Sequence, residues 1–379
     1  MPPATQRSRA SQRILGIVCL GILAAIAVAG LTPFNPFPKN NVAWIGDGNG
    51  LRFGVHGIAL ASANLVWPPA PPDDCSCSLE ILLRPERNNR VNNILTFYTP
   101  DSPQRFRLFQ WADSTLLLYR DAGREHREID IEGALRPGST VFIAVTAGAR
   151  GTSVYLDGVL EQTASRLRLS RDDLSGRMIL GTSPLSAEPW SGEIRSIALY
   201  AAQLTPAQVF DHFAAATRGE RPAMNPEQAP IAVYDFDEGF GSVARDRLGK
   251  APELSNPASF QIPHKRFLSL PSREFQRSRN FLEDVVLNVA AFAGLGFFLC
   301  LYRAARTGAG WAVLYAIASG AAVSLFIESL QMVLPTRTSS IVDLAANTAG
   351  AALGALLCIG GLLQSRRRAS TRKQDSASF

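Results

Sequence analysis

Apolar and polar positions divide this chain into two kinds of segment. Four apolar runs, each close to the length that crosses a bilayer, lie at 14–31, 285–302, 311–334 and 341–363. Between the first and second runs, short stretches with strand-like composition alternate with Gly, Pro, Asn and Asp, which is typical of antiparallel β-strands. The pattern predicts four transmembrane helices and one all-β domain inserted after the first.

The β pattern is regular enough to predict an architecture. Strand-like stretches such as SLEILLRP and TVFIAVTA recur at even spacing, which favours an antiparallel sandwich. Asp157-Gly158 is expected to form a two-residue hairpin turn, because such turns need backbone φ angles above zero. Thr205 and Pro206 predict a short helix, with Thr205 as N-cap and Pro206 at its first position.

Charge sets the expected topology. The net charge of +6 comes from segments that flank the apolar runs, so it does not indicate a nucleic-acid partner. Arg7, Arg9 and Arg13 precede the first run, Arg303 and Arg306 separate the second and third, and a basic tail follows the fourth. The positive-inside rule therefore predicts that both termini are cytoplasmic and that the β domain lies outside. A basic cluster at 265–279 disagrees, but long domains cross membranes largely regardless of charge.

These patterns predict a domain order. It consists of a cytoplasmic basic N-terminus (1–13), a first transmembrane helix (14–31), an exoplasmic β domain (40–215), a linker with a candidate added strand (216–262), a juxtamembrane segment (263–282), a membrane region (283–364) and a cytoplasmic basic tail (365–379).

Three local questions stay open in this order. The first helix fits an uncleaved anchor, although Ala27-Val28-Ala29 also fits a signal-peptide cleavage site. Residues 231–246 could add a strand to the β domain or form a separate ribbon, and their acidic residues fit a solvated turn better than a catalytic pair. Cys75 and Cys77 are the one cysteine pair outside the apolar runs, and a bridge between them would be strained.

Polar side chains gather at one depth of the predicted membrane region. Ionisable groups cost several kcal/mol in hydrocarbon, so they indicate a functional or partner-satisfied site. The predicted topology brings them to the outer third of the bilayer, and they are Asp284, Asn288, Glu328, Gln331, Arg337, Asp343 and Asn347. Gly350 and Gly354 form a GxxxG pair that predicts close packing of the fourth helix against a neighbour.

Two interpretations of this polar cluster are open. It could form a shallow, outward-open pocket in which Arg337 contacts phosphate or carboxylate, while its neighbours bind a headgroup or hold Arg337. It could instead be an interhelical hydrogen-bond network that fixes the packing of the helices. Glu328 could act as a general base, but the site has no nearby His, no nucleophile–base pair and no metal-ligand set. We therefore expect no catalysis, with an intramembrane enzyme as the alternative.

The β domain resembles a known family. The ordered stretches VFIAVTAGARGTSVYLDGVL, GRMILGTS and WSGEIRSIALYAAQLTPAQV are similar to the laminin-G-like branch of the concanavalin A-like jelly rolls. The resemblance implies a jelly-roll sandwich that binds carbohydrate or protein, sometimes with calcium, although no dense run of Asp and Asn indicates a calcium site. Trp111 and Trp190 are candidate carbohydrate contacts, or else core residues.

The membrane region resembles the VanZ-like family. The pattern E-x-x-Q-x-x-x-P-x-R-x-x-S-x-x-D-x-x-x-N-x-x-G runs from Glu328 to Gly350, and DVVLNVAAFAGLGFFL runs from Asp284 to Leu299. Many relatives carry F-x-P-x-G where this chain has Phe292-Ala293-Gly294-Leu295-Gly296. The family is known for low-level teicoplanin resistance, so the resemblance implies a multi-pass protein of the bacterial inner membrane and a link to glycopeptide resistance.

The expected protein is therefore a multi-domain membrane protein, with a four-helix VanZ-like bundle and an all-β jelly roll on the periplasmic side. We expect non-enzymatic binding of an envelope glycan or a lipid-linked precursor, with no resident cofactor. The alternatives are an enzyme acting on a lipid phosphate, and a scaffold that binds a protein partner through its jelly roll.

Overall fold

The protein has two compact units in the computed structural model. One unit is formed by Met1–Pro36 together with Arg266–Phe379, and the other by Phe37–Lys265. The structure describes residues 4–69, 76–86, 91–102, 105–112, 114–122, 125–185, 187–223, 225–270 and 279–375. The larger unit is thus inserted into the smaller one after its first helix.

The inserted unit is a sandwich of two antiparallel sheets. Among the described residues, the first sheet has the strand order β1-β2-β13-β4-β9-β10-β11, with β14 also paired to β13, and the second has the order β15-β16-β3-β12-β5-β6-β7-β8. The strands are β1 (Val42–Trp44), β2 (Leu51–Phe53), β3 (Ala59–Ala61), β4 (Cys77–Pro85), β5 (Val91–Tyr98), β6 (Phe106–Trp111), β7 (Thr115–Ala122), β8 (Glu125–Ile131), β9 (Val141–Gly148), β10 (Gly151–Leu156), β11 (Val159–Ala164), β12 (Arg177–Leu180), β13 (Gly192–Tyr200), β14 (Pro230–Tyr234), β15 (Val243–Ala244) and β16 (Leu254–Ser255).

Alternation along each strand builds the core between the sheets. On β4, Leu79, Ile81 and Leu83 are buried in this core, while Glu80 belongs to the opposite face of the strand. Ile81 lies opposite Ile143 of β9 and Ile197 of β13, so inward side chains of neighbouring strands stack across the sheet. This confirms the predicted antiparallel sandwich.

Residues 231–246 contribute to both sheets. Strand β14 pairs with β13, with Ala232 opposite Leu199, so it is an added strand of the first sheet. Strand β15 pairs with β16, which in turn pairs with β3, so the rest of the segment forms a ribbon at the edge of the second sheet. The two alternatives for this segment therefore both occur.

Local turn and cap chemistry follows the predictions. Asp157 and Gly158 join β10 to β11 with φ angles of 49° and 79°, and the Asp157 carboxylate accepts the Phe142 backbone N–H at 2.9 Å. Helix α1 (Ala4–Leu31) precedes β1, and α2 (Pro206–Thr217) follows β13. Thr205 is the N-cap of α2 and forms a capping box with Gln208.

The second unit contains α1 and three further helices, which are α3 (Arg279–Thr307), α4 (Ala309–Gln331) and α5 (Ile341–Asp375). Their apolar stretches Ser11–Leu31, Phe281–Thr307, Ala309–Gln331 and Ile341–Ser365 are long enough to cross a membrane. Large apolar side chains such as Ile17, Leu287 and Leu356 point outward, as lipid-facing residues do. The third predicted span reached residue 334, but α4 ends at Gln331, so the next residues belong to the α4–α5 loop.

Candidate functional site

Glu328 joins α4 to the start of α5. It lies on the last turn of α4 and is only 2% exposed, and its Oε2 accepts the Ser340 backbone N–H at 2.7 Å. Ser340 precedes α5, and its hydroxyl accepts the backbone N–H groups of Val342 and Asp343 at 3.2 and 3.3 Å. A carboxylate is favoured there because free N–H groups give a helix N-terminus partial positive charge. Glu328 and Ser340 therefore cap α5 together.

Gln331 and Arg337 contact the C-terminal end of α1. Gln331 Nε2 donates to the Gly30 carbonyl at 2.9 Å, and Arg337 Nη2 donates to the Ala29 carbonyl at 3.2 Å and to the Thr32 carbonyl. A cation is favoured at the C-terminus of α1 because the last carbonyls carry partial negative charge. These bonds hold α1 to α4 and to the α4–α5 loop, although about 300 residues separate them along the chain.

Two further contacts join the remaining helices. Asn288 Nδ2 of α3 donates to Asp343 Oδ1 of α5 at 3.1 Å, and Asp284 lies exposed one turn before Asn288. Deeper in the bundle, Asn347 Nδ2 of α5 donates to Ser324 Oγ of α4 at 2.9 Å. Asn347 Oδ1 is buried and has no partner among the described residues. Apart from Asp284, the predicted polar residues thus form hydrogen bonds that join different helices or the α4–α5 loop.

Arg337 is the one cationic side chain among the seven predicted polar residues, and no acid in the described ranges matches its charge. No acidic side chain within the described ranges forms an ion pair with it, and its recorded bonds go only to backbone carbonyls. Its Nε and the Thr336 hydroxyl are buried polar atoms without a partner in the same described ranges. Glu328 forms no ion pair with Arg337 in the described ranges, and its Oε2 accepts the Ser340 backbone N–H instead.

Glycines bring α3 and α5 into close contact. A Cβ on Gly350 would lie 2.4 Å from the Val289 carbonyl oxygen, and one on Gly354 would lie 1.8 Å from that of Ala293. Gly296 of α3 faces α5 in the same way, with an α5 carbonyl oxygen 2.1 Å from its Cβ position. The spacing of Gly350 and Gly354 predicted the close contact of α5. The role of Gly296 was not predicted, because the backbone that it contacts belongs to another helix.

The α4–α5 loop also binds the segment that precedes α3, a contact that sequence reasoning missed. Leu268 N–H donates to Ser339 Oγ at 3.1 Å, and the Ser269 N–H and hydroxyl both donate to the Ser339 carbonyl at 2.9 Å. The Ile341 N–H completes the pairing with the Ser269 carbonyl at 3.2 Å. The chain therefore re-enters the membrane unit beside the residues that Glu328 caps. Residues 271–278 of the predicted juxtamembrane segment (263–282) lie outside the described residues, and α3 already includes 279–282.

The two candidate carbohydrate contacts in the jelly roll have different environments. Trp190 is 0% exposed and its Nε1 donates to Gln110 Oε1 at 2.8 Å, so it is a core residue with no free face for a sugar ring. We therefore withdraw the predicted sugar contact for Trp190. Trp111 is half-buried at the end of β6, packed against a cluster that includes Phe109 and Tyr119, and its proposed role stays a prediction.

A buried charge in the jelly roll escaped sequence reasoning. Arg107 of β6 is 1% exposed; its Nε donates to Asn93 Oδ1 at 2.7 Å and its Nη2 to Glu188 Oε2 at 2.8 Å. Its guanidinium lies 4.6 Å from the centre of the Phe109 ring. The Asn93 N–H also donates to the Glu188 carbonyl at 3.0 Å. These bonds fasten the loop before β13 to the outer face of the second sheet.

A second buried polar group lies under α2. Tyr200 Oη donates to Glu80 Oε2 at 2.9 Å, and His212 Nδ1 lies 2.9 Å from Glu80 Oε1. Gln228 Oε1 accepts the Asn225 N–H, so its amide nitrogen donates to His212 Nε2 at 3.0 Å. His212 must then carry its proton on Nδ1 and donate it to Glu80. Burial, together with the charge of Glu80, raises the pKa of Tyr200 far above its usual value.

Acidic side chains near β14 form surface ion pairs. Asp235 pairs with Arg247 at 2.9 Å and with Arg221 at 3.3 Å, and Asp237 also pairs with Arg221. Among the described residues, no group of three or more His, Cys, Asp or Glu side chains is placed to hold a metal ion. Cys75 lies outside the described residues, so the redox state of Cys75 and Cys77 stays a prediction.

Comparison with protein families identifies both units. Residues 248–364 match the VanZ/LLP1 family, and residues 40–210 match the concanavalin A-like lectin/glucanases superfamily. The chain therefore contains a VanZ-like domain and a concanavalin A-like domain, which confirms both predicted resemblances. Comparison with curated proteins returned no match.

Comparison with solved structures returned matches of low identity that each cover about half of this chain. The binding domain of botulinum neurotoxin DC in complex with rat synaptotagmin II is 12% identical over 47% of this chain and 46% of that one, with a TM-score of 0.34. A heptameric SAP-like pentraxin from Limulus polyphemus is 17% identical over 58% and 93%, with a TM-score of 0.35. The Ruminococcus gnavus IT-sialidase CBM40 bound to alpha2,3 sialyllactose is 15% identical over 43% and 94%, with a TM-score of 0.34. The chain spans less than half the length of the botulinum domain, and similarities this low support no functional inference.

Proposed function

We propose that this protein is a non-enzymatic receptor of the bacterial inner membrane that binds a lipid-linked envelope glycan. In this proposal the jelly roll binds the saccharide on the periplasmic side, and the VanZ-like bundle binds the lipid end. Both termini are cytoplasmic, and resistance to glycopeptides such as teicoplanin would follow from occupancy of a cell-wall precursor.

One observation carries the proposal. A concanavalin A-like domain is inserted between α1 and α3 of the membrane unit, so both of its ends are tethered to the same VanZ-like bundle. A tether at each end keeps a binding domain near the membrane surface, where lipid-linked glycans are presented. Calcium stays open as a cofactor of the jelly roll.

The contacts of Glu328 in the bundle favour a capping role over that of a general base. Glu328, the candidate general base, is buried and accepts a hydrogen bond from the N-terminus of α5. A catalytic base must instead reach a proton of the substrate. The interhelical bonds of Gln331, Asp343 and Asn347 support a structural role for these residues.

The test is binding of the full-length protein, in detergent or nanodiscs, to an array of bacterial envelope glycans and peptidoglycan fragments. We expect selective binding to a small set of structurally related saccharides, unchanged in an Arg306→Gln control at the other end of the bundle. A folded protein that binds no glycan on the array, with and without calcium, would contradict the proposal.

Two alternatives make different predictions. An intramembrane enzyme would turn over a labelled polyprenyl-phosphate sugar and would lose that turnover in Glu328→Gln. A scaffold would crosslink to one stoichiometric protein partner, and changes in the bundle residues would leave that partner bound. The interhelical contacts favour neither alternative over a receptor.

A further inference from the structure

We propose that Arg337 and Thr336, on the α4–α5 loop, bind the oxyanion of a phosphate group. This inference rests on the proposed function and deepens it, because it assigns the phosphate of a lipid-linked ligand to particular donors. It gives Arg337 a ligand-binding role, whereas Gln331, Asp343 and Asn347 form hydrogen bonds between helices.

Arg337 places a guanidinium cation in a half-buried position. The neighbouring acid Glu328 is engaged with the N-terminus of α5, and no acid among the described residues pairs with Arg337. The α1 carbonyls that Arg337 contacts supply only the partial charges of a helix end. A half-buried cation of this kind is stabilised by an anion, which the described chain does not provide.

Arg337 and Thr336 have hydrogen-bond donors that form no bond within the described chain. Arg337 makes its recorded bonds through Nη2 alone, while its Nε is buried without a partner and its Nη1 forms no bond to the described residues. The adjacent Thr336 hydroxyl is also buried and without a partner in the described chain. Unpaired buried polar groups are costly, so an acceptor that reaches these two donors would stabilise them. A phosphate has several acceptor oxygens in a tetrahedral arrangement and can accept from a guanidinium and a hydroxyl together.

Exposed apolar side chains lie on the α4–α5 loop and just after the end of α1. Val333 is 61% exposed on the same loop, and Phe34 is 66% exposed shortly after the end of α1 that Arg337 contacts. Exposed apolar side chains close to a cation suit an amphiphile whose phosphate lies at the headgroup level. Inorganic phosphate offers the same oxyanion without the acyl or prenyl chain, so the experiment must distinguish the two sources.

The experiment measures dissociation constants for the full-length protein in detergent by native mass spectrometry or by thermal-shift titration. The probes are polyprenyl phosphate, inorganic phosphate, and an uncharged glycosyl diacylglycerol that carries no phosphate. The variants are Arg337→Gln, Arg337→Lys and Thr336→Val, with Arg306→Gln as a control that removes the same charge at the other end of the bundle.

We expect polyprenyl phosphate to bind about tenfold to a hundredfold more weakly to Arg337→Gln, the scale of a charged hydrogen bond. Thr336→Val should weaken binding several-fold, and Arg337→Lys should fall between wild type and Arg337→Gln, since it keeps the charge without the guanidinium. Arg306→Gln should bind like wild type. The probe that binds, polyprenyl phosphate or inorganic phosphate, shows whether the ligand is a lipid phosphate or a free phosphate.

Binding of neither phosphate probe, or equal losses in Arg337→Gln and Arg306→Gln, would overturn the inference. If Arg337→Gln does not fold, Thr336→Val decides, and unchanged phosphate binding in that variant would overturn it. Glycan binding by the same variants separates this failure from failure of the proposed receptor, because Arg337→Gln should still bind free saccharide on the array.

Discussion

Two buried or half-buried arginines show how a single charge can be handled in opposite ways. Arg107 in the jelly roll has a carboxylate, an amide oxygen and an aromatic face around it. Arg337 in the membrane unit has only backbone carbonyls. The first arrangement satisfies the charge within the protein, whereas the second sets it against partial charges only. This difference is the basis for the proposal that Arg337 binds a phosphate.

The ion pair between Arg107 and Glu188 leads to a prediction about the stability of the jelly roll. Glu188→Ala should destabilise the jelly roll by about 3–5 kcal/mol, because it leaves the buried Arg107 charge without its partner. Glu220→Ala is the matched control, since the Arg218–Glu220 pair is exposed and should contribute less than about 1 kcal/mol. Chemical unfolding followed by tryptophan fluorescence measures both. Equal effects of the two substitutions would show that the Arg107 charge is not buried in solution.

Sequence reasoning found the polar residues of the bundle but not their partners. Glu328 and Gln331 stand out because polar side chains are rare in apolar helices. Their partners are the Ser340 N–H and the Gly30 carbonyl, and every residue has such backbone groups, so no side-chain pattern identifies them. Trp190 was a wrong candidate for a related reason, because a core tryptophan and a sugar-stacking one look alike in sequence.

Among the helices, the contact between α3 and α5 depends on glycines, which have no side chain to keep the two backbones apart. The backbones approach closely at Gly354, where a carbonyl oxygen of α3 occupies the space of a Cβ. Gly360, one and a half turns further along α5, has nothing within 4 Å of its Cβ position. Small residues permit such close packing between membrane helices.

The paired glycines give a controlled test of this contact. Gly354→Ala should destabilise the bundle by about 1–3 kcal/mol, because the added methyl group overlaps the Ala293 carbonyl. Gly360→Ala should have no such effect and slightly favour the helix. The measurement is unfolding of the detergent-solubilised protein in increasing SDS, followed by circular dichroism. If both variants unfold alike, α3 and α5 do not pack as described.

The cap of α5 gives a second test at this scale. Glu328→Ala should destabilise the protein by about 1–3 kcal/mol, since the Ser340 N–H loses its acceptor in a buried position. Glu328→Gln keeps an acceptor oxygen at the same place and should lose less. Thermal unfolding of the two variants in detergent measures the difference. A Gln variant as unstable as the Ala variant would mean that charge, rather than the hydrogen bond, is what α5 requires.

Strands and capped helices were predictable from local signals, but long-range pairing was not. The Asp157-Gly158 turn and the Thr205 cap depend on neighbouring residues, so their sequence signals are strong. The pairing of β14 with β13 and of β16 with β3 joins strands that are distant along the chain. Nothing in the local pattern of 231–246 specifies which sheet edge each piece joins.

At the scale of the molecule, α1 belongs to the membrane unit as a structural element. Gln331 and Arg337 bind its last carbonyls, and Cys19 and Ile26 are buried in the core of the bundle. A leader that is removed would take these contacts with it. We therefore expect α1 to remain attached in the mature protein.

Intact-mass measurement of the purified protein checks this expectation. The mass should include α1, and cleavage at a protease site engineered after Asn35 should lower the unfolding temperature of the bundle. The same site in a chain that carries Gln331→Ala and Arg337→Gln should change stability less upon cleavage, since the ties to α1 are already absent. A natural mass that begins after Ala29 would contradict the prediction.

If this protein binds the saccharide and the lipid phosphate of the same molecule, joining the two ligands should raise their affinity, and one comparison of dissociation constants tests this. Full-length protein in nanodiscs is titrated with the best saccharide from the array, with polyprenyl phosphate, and with that saccharide joined to polyprenyl phosphate. We expect the conjugate to bind about a hundredfold more tightly than either half, because the second contact is intramolecular. Arg337→Gln should reduce conjugate binding to the level of the free saccharide. A conjugate that binds no more tightly than the saccharide alone would show that the two ends of the ligand are not bound by one protein.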